Sequence, residues 1–273
     1  MAKTRKACGL LETPWIAAIV ALFLWWFSTG AILFVVRRAD GDGPDGHIWA
    51  SLLSMPVLFA GVVGLNMSLE TAAVGGSYIG FIAALVIWGW IELTFLSGFV
   101  TGPNRGLCPP DAAGLPRFLR ALGTVLWHEA LLLVALVSIW AISRGNENQI
   151  AFLTFSVLFL ARVSAKLNLF LGVPHINTEF LPRPLAHLPS YFRIRRLNWL
   201  FPASVTALTF ATVFWLQRLS ATGDVGFALL AAITALATLE HWLMVLPLPD
   251  AKLWRWMLPA PKDKPVRITT DGL

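Results

Sequence analysis

Apolar residues fall along the chain in long runs, at 14–36, 48–69, 74–101, 119–142, 149–172, 199–217 and 225–247, and most charged residues gather between them. A helix needs about 20 residues to cross a hydrocarbon core of about 30 Å, so each run predicts one membrane span. The stretches D-G-D-G-P-D-G at 40–46, T-G-P-N-R-G at 101–106, R-G-N-E-N at 144–148 and T-G-D at 222–224 carry the Gly, Pro, Asn and Asp of tight turns. The pattern predicts an all-α fold: a polytopic membrane helix bundle of about seven transmembrane helices, forming one domain over 1–258. At its end, A-K-L-W-R-W-M-L at 251–258 alternates cations with tryptophans and reads as a segment lying at headgroup level. The remainder, 259–273, reads as a flexible tail.

Composition agrees with a lipid environment. Hydrophobic residues make up 57% and charged residues 13% of the 273 positions, an apolar excess that an ordinary water-soluble globule does not carry. The net charge of +6 comes from short basic clusters beside apolar runs rather than one stripe, which suits anionic headgroups and argues against nucleic acid as a partner. Cys8 and Cys108 have no C-x-x-C spacing and predict neither a zinc site nor a disulfide framework. The first run follows Lys3, Arg5 and Lys6 as a signal peptide would, but it ends in Arg37 and Arg38 without a small-residue cleavage site and predicts a retained helix.

Orientation follows from loop cations. Five Lys and Arg fall on the N-terminal side of the predicted spans and fourteen on the other, so the C-terminus is expected in the cytoplasm and the N-terminus outside. Arg162 and Lys166, near the end of the fifth run, are read as snorkelling toward the richer side. Lys166, Arg193, Arg195 and Arg196 are candidates for headgroup or partner contact.

Candidate chemistry lies in the few ionisable residues inside the runs, because a charge at mid-span costs at least about 2.5–3.5 kcal/mol on insertion scales. These are Glu92 in the third run, His128 and Glu129 in the fourth, and Glu240 and His241 in the seventh. All stand about 10–15 Å from the same end of their predicted spans. In K-L-N-L-F-L-G-V-P-H-I-N-T-E-F-L-P, Pro174 is placed to start a short helix on which His175 and Glu179 share a face and join the others. Such a set offers three readings. Carboxylates and imidazoles are ligands for a di-metal centre of iron or manganese, although the paired E-x-x-H spacing is missing. His128 or His241 is a candidate axial ligand for a chlorophyll-type magnesium or a haem iron. The third reading has the same groups hydrogen-bonding across helices to fix the bundle. G-x-x-x-G at Gly76 and Gly80 marks a close helix approach, and no Walker loop, dinucleotide fingerprint or Ser-His-Asp order is visible.

The blocks W-I-E-L-T-F-L-S-G-F-V-T-G-P, W-H-E-A, K-L-N-L-F-L-G-V-P, E-F-L-P, S-Y-F-R-I-R-R-L-N-W-L-F-P-A-S-V-T and L-E-H-W-L-M-V-L-P-L-P-D-A, spread over about 92–256, resemble PuhE, the photosynthetic complex assembly protein 2 family of purple and related phototrophic bacteria. The resemblance implies an integral inner-membrane protein encoded among photosynthesis genes. It would act in assembly of the reaction centre and its light-harvesting antenna, or in bacteriochlorophyll supply. Implied partners are reaction-centre or light-harvesting subunits and transiently bound bacteriochlorophyll, besides the lipid bilayer. Against the family pattern, Ile91 stands where a histidine precedes the first glutamate, and His175 stands where an asparagine follows V-P. An assembly factor is the first expectation. A metal-dependent membrane oxidoreductase acting on a tetrapyrrole or another lipid-soluble substrate is the alternative, and a pigment carrier is a third reading of the same charges.

Overall fold

A computed structural model describes residues 9–43, 45–71, 73–179 and 181–247 and the backbone of Thr269–Thr270. Its helices are α1 (Pro14–Gly41), α2 (Gly46–Leu53), α3 (Met55–Glu70), α4 (Ala73–Leu96), α5 (Gly114–Ser143), α6 (Ile150–Leu171), α7 (Leu200–Thr222) and α8 (Val225–Leu243). They make seven segments long and apolar enough to cross a membrane, because α2 and α3 together form one span, and the chain is a multi-pass membrane protein. That span is broken at Ser54, where Pro56 at the start of α3 removes an amide donor and crowds the carbonyl a turn earlier.

Helix bounds differ from the hydropathy runs where turn chemistry intrudes. The third span ends at Leu96 rather than 101, since Gly98 takes a positive φ of 72° and packs beneath Pro184. The fourth begins at Gly114, five residues before the expected 119, and the first runs on through Arg37 and Arg38 to Gly41. The segment 251–258, Cys8 and the basic N-terminal residues lie outside the described residues. Of 259–273, Thr269–Thr270 forms a strand, β2, parallel to β1 at Arg193–Ile194.

α4 and α8 are the most enclosed spans, and outside Glu92, Glu240 and His241 their residues are predominantly apolar all round, as befits a helix surrounded by others. One apolar cluster joins α1, α4, α6 and α8 around Phe81, Leu229 and Leu230. A second joins α3, α4, α5 and α6 around Ile87, Leu132 and Phe155. The small residues Gly76 and Gly80 admit close neighbours: a side chain at Gly80 would meet the Ala151 amide of α6 and Ser68 of α3 at 3.3–3.4 Å.

At the end of the bundle opposite Thr71 and Asp224, the segments 97–113 and 172–199 fold over the helix ends as a cap. Phe95 packs there against Leu185 and Leu188. Arg117, only 3% exposed, donates to the carbonyls of Tyr191 and Phe170 and lies 4.5 Å above the Phe170 ring. Asn198 is the joint between cap and bundle. Its Nδ2 donates to Asn168 Oδ1 at 3.0 Å and Gly172 O at 2.8 Å, while its Oδ1 accepts from the amides of Leu200 and Phe201 and so caps α7.

The expected short helix at Pro174 does not form. Val173 instead exchanges backbone hydrogen bonds with Arg193 and Arg195, and the His175 amide donates to Met244 O, so that 174–178 run as irregular chain with no helical turn. Gly172 makes that exit from α6 possible: its φ is +119°, and a Cβ there would press within 2.8 Å of the Arg195 side chain. Gly172→Ala is therefore expected to cost more than about 1 kcal/mol, through both backbone strain and the clash, and to lower the thermal midpoint in mild detergent. The cap also holds His187, 9% exposed, with Nε2 buried and unpartnered. Burial, and secondarily the nearby Arg105, hold its pKa below the ordinary imidazole value. The unfolded chain takes up a proton below about pH 6.5 that the closed cap does not, so acidification destabilises the fold. Between about pH 7 and 5 the thermal midpoint should fall more steeply for the wild type than for His187→Gln; parallel curves would show that His187 plays no part.

Candidate functional site

Helix α6 organises the polar interior. Arg162 and Lys166, four residues apart, share one face, and Ser164 and Asn168, also four apart, share the next. Each of these side chains reaches a different neighbour. Arg162 Nη2 donates to Glu92 Oε2 of α4 at 2.6 Å, and Lys166 Nζ donates to Glu129 Oε1 of α5. Ser164 Oγ lies 2.9 Å from His241 Nε2 of α8, and Asn168 Nδ2 donates to Ser204 Oγ of α7 at 3.1 Å. His241 Nδ1 lies 2.8 Å from the Ala237 carbonyl, which can only accept. The neutral ring therefore carries its proton on Nδ1, and Nε2 accepts from the serine hydroxyl. All four contacts are of the kind that holds buried polar groups in place, and an ion pair of this sort is strengthened by the low dielectric around it.

His128 sits beside the first ion pair, fully buried, with its ring centroid 4.2 Å from that of Phe95. Its Nε2 is 3.7 Å from Glu92 Oε1, too long for a hydrogen bond, and both of its ring nitrogens and Glu92 Oε1 are buried without a partner. Phe95 also receives the Lys166 ammonium 5.1 Å from its ring centre, a cation–π contact that adds to the lysine's carboxylate partner. Glu240 of α8 accepts a hydrogen bond from Trp25 of α1.

The structure thus gathers Glu92, His128, Glu129 and His241 around α6, while Glu240 is exposed near the end of α8 with its hydrogen bond from Trp25 of α1. It does not bring in His175 and Glu179, which are exposed on the irregular segment after Gly172. Lys166 does not reach for headgroups as expected, because a desolvated carboxylate, Glu129, lies within its reach; their side chains are only 22% and 20% exposed. Arg162, also expected to snorkel, turns instead to Glu92. Arg195 lies across Gly172, Arg193 forms β1, and Arg196 is exposed on the cap. The gathered residues share one level, but Glu92 and Glu240 stand only about 5–6 Å from the ends of α4 and α8, shallower than the expected 10–15 Å. The cap covers what hydropathy alone assigns to lipid.

Among the described residues no group of three or more His, Cys, Asp or Glu side chains is placed to hold an ion, and the carboxylates of Glu92 and Glu129 are taken by cations. Nor does either histidine present itself to a macrocycle: His241 has both nitrogens engaged, and His128 is shut beneath Phe95 with no accessible surface. The arrangement supports the third reading, polar groups that fix helix positions. Ser164, Trp25 and the buried Arg117 are participants that the sequence reading left out. Arg162 carried the one available signal, a guanidinium four residues before a lysine inside an apolar run.

Comparison with known proteins gives two matches of different kinds. The model of a family described as protein of unknown function (DUF3623) matches residues 11–265. An uncharacterized 30.4 kDa protein in the puhA 5′ region of Rhodobacter capsulatus is 52% identical over 257 residues, covering 93% of this chain and 94% of the relative. No solved structure matches.

The ion pairs make a direct prediction. Arg162→Met strands Glu92, whose side chain is 10% exposed, without its counter-charge. Breaking a buried pair costs about 3–5 kcal/mol, and the lower end applies here because 36% of the Arg162 side chain is accessible. The thermal midpoint in detergent should drop accordingly and recover largely in the Glu92→Gln/Arg162→Met double variant. A single variant as stable as the wild type would mean the pair does not hold α4 to α6.

Proposed function

Because this chain belongs to the DUF3623 family, we propose that it is an integral-membrane factor for assembly of the bacterial photosynthetic reaction centre and light-harvesting complex, or for regulating the bacteriochlorophyll supplied to them. The observation that carries this reading is the relative's place in the puhA 5′ region, at 52% identity over nearly the whole chain, which agrees with the photosynthesis-gene setting that the PuhE resemblance implies. The resemblance of the blocks around Glu92, His128, Glu240 and the cap to PuhE points the same way. The interior supports it from a second direction. Glu92 and Glu129 engage cations of the same bundle, a use of charge suited to a scaffold.

In this reading the protein resides in the inner, photosynthetic membrane with its N-terminus outside and its capped end in the cytoplasm. The cap is then the face that meets newly made subunits or pigment, with Arg196 exposed on it. The aromatic side chains of Trp127 and Trp242, 55% and 41% exposed, face outward near the level of the cluster and are suited to lipid or to a helix of a client protein.

The test is genetic. Deleting the relative's gene in Rhodobacter capsulatus and complementing with this chain should lower and then restore the absorption of mature reaction-centre and antenna complexes. The tetrapyrrole profile of the deletion strain should show no single blocked intermediate. Accumulation of one specific precursor would point to an enzyme of pigment synthesis instead, and unchanged complexes would remove the assembly role altogether.

A further inference from the structure

The end of the bundle opposite the cap holds a cleft of about 590 Å³. Its floor is the first turn of α8. There Gly226 lies against the Ile150 side chain of α6, and Phe227 stacks on Trp215 of α7 with ring centroids 6.1 Å apart and planes 15° from parallel. The turn before α6 and the start of that helix form one wall, and the last turns of α7 form the other. A cavity of this size falls in the range that encloses a small organic ligand, roughly 300–1,000 Å³. None of the residues lining it belongs to the polar cluster around α6 or to the cap.

The cleft carries charges of both signs that do not meet one another. Arg218 of α7 has its guanidinium carbon 5.3 Å from the centre of the Phe227 ring. Glu147, before α6, and Asp224, at the start of α8, line the same space, yet no carboxylate of the described residues lies within 4.0 Å of Arg218. Residues 1–8 hold Lys3, Arg5 and Lys6 but no acid. Asp224 is fixed by the fold: its Oδ1 accepts from the Gly226 amide at 2.8 Å, capping α8, and from Ser77 Oγ at 3.4 Å. Beside these charges the lining is apolar, with Leu153 on α6 and Phe214 on α7, the latter 50% exposed. A complementary occupant therefore offers an anion to Arg218, a cation to Glu147 and Asp224, and hydrocarbon to Phe214 and Leu153. At a membrane boundary, a zwitterionic phospholipid has all three.

We propose that this cleft binds one phospholipid with an ethanolamine headgroup, drawn from the leaflet opposite the capped end. The phosphate accepts from the Arg218 guanidinium, and the ammonium donates to Glu147 and to the second oxygen of Asp224. An acyl chain leaves past Phe214 into the bilayer. A choline headgroup has no N–H to donate and a glycerol headgroup has no cation, so each leaves the two carboxylates unanswered. The inference does not depend on the assembly reading: it concerns the other end of the bundle, and either can fail without the other.

The experiment is native mass spectrometry of the full-length protein released from nanodiscs that contain ethanolamine, choline and glycerol phospholipids in equal amounts with identical acyl chains. The wild type should retain one ethanolamine lipid per chain, in roughly tenfold preference over either other headgroup, which is the worth of one hydrogen bond to a charged group. Arg218→Gln should lose the retained lipid, and Glu147→Gln should lose the preference among headgroups. Arg144→Gln, which removes a cation that rests on Trp140 outside the cleft, should behave as the wild type. All three side chains are exposed, so the substitutions leave the fold in place. Thermal stability in detergent supplies an independent readout: added ethanolamine lipid should raise the wild-type midpoint more than choline lipid does, and the two should act alike on Arg218→Gln. Equal retention of the three lipids by the wild type, a preference that survives in Arg218→Gln, or one that is lost equally in Arg144→Gln overturns the assignment. Displacement of the lipid by an equal concentration of glycerophosphoethanolamine, which has the headgroup without the chains, overturns it as well.

Discussion

Charge buried in a helix bundle has to be answered by charge or by hydrogen bonds, and in this protein a single helix, α6, provides the answers. Arg162, Ser164, Lys166 and Asn168 lie within two turns and reach α4, α8, α5 and α7 respectively. Apolar packing between membrane helices is weakly directional, since lipid tails solvate leucine as well as a neighbouring helix does. The polar contacts supply what packing cannot: they select which helix sits beside which, and at what height. The clusters around Phe81 and Phe155 then fill the space that those contacts define.

The cap follows from the same constraint. Glu92 lies close to the end of α4, where water or headgroups would otherwise compete for its partner. The segments 97–113 and 172–199 exclude that competition by laying Phe95, Leu185 and Leu188 over the ends and by tying themselves down through Asn198 and Arg117. Both tethers end on backbone carbonyls, which lets irregular chain lie against the bundle without leaving buried polar groups unmatched.

Much of this was legible in the residues and some was not, for definable reasons. Span number and approximate position follow from apolar length, which is a local property, and Glu92, His128, Glu129, Glu240 and His241 stand out because ionisable residues are rare in such segments. Partner choice is not local. Nothing near Lys166 in the sequence names Glu129, thirty-seven residues away, so the default expectation of snorkelling prevailed and was wrong. The failed helix at Pro174 has a similar origin: proline permits a helical start, but the backbone of Val173 is claimed by Arg193 and Arg195, and spacing does not reveal that competition. Helix ends were displaced at Gly98 and Gly114, where positive φ values mark turns that an apolar run conceals.

The order of the charged residues along the chain carries its own consequence. Glu92 and Glu129 precede Arg162 and Lys166, so during synthesis two acidic spans enter the membrane before either of their cations exists. Until α6 arrives, α4 and α5 hold their acids without the partners that the finished fold gives them. The fifth span then serves as a staple delivered from behind, and assembly of the bundle is gated by the ribosome reaching it rather than by the insertion of the first four spans.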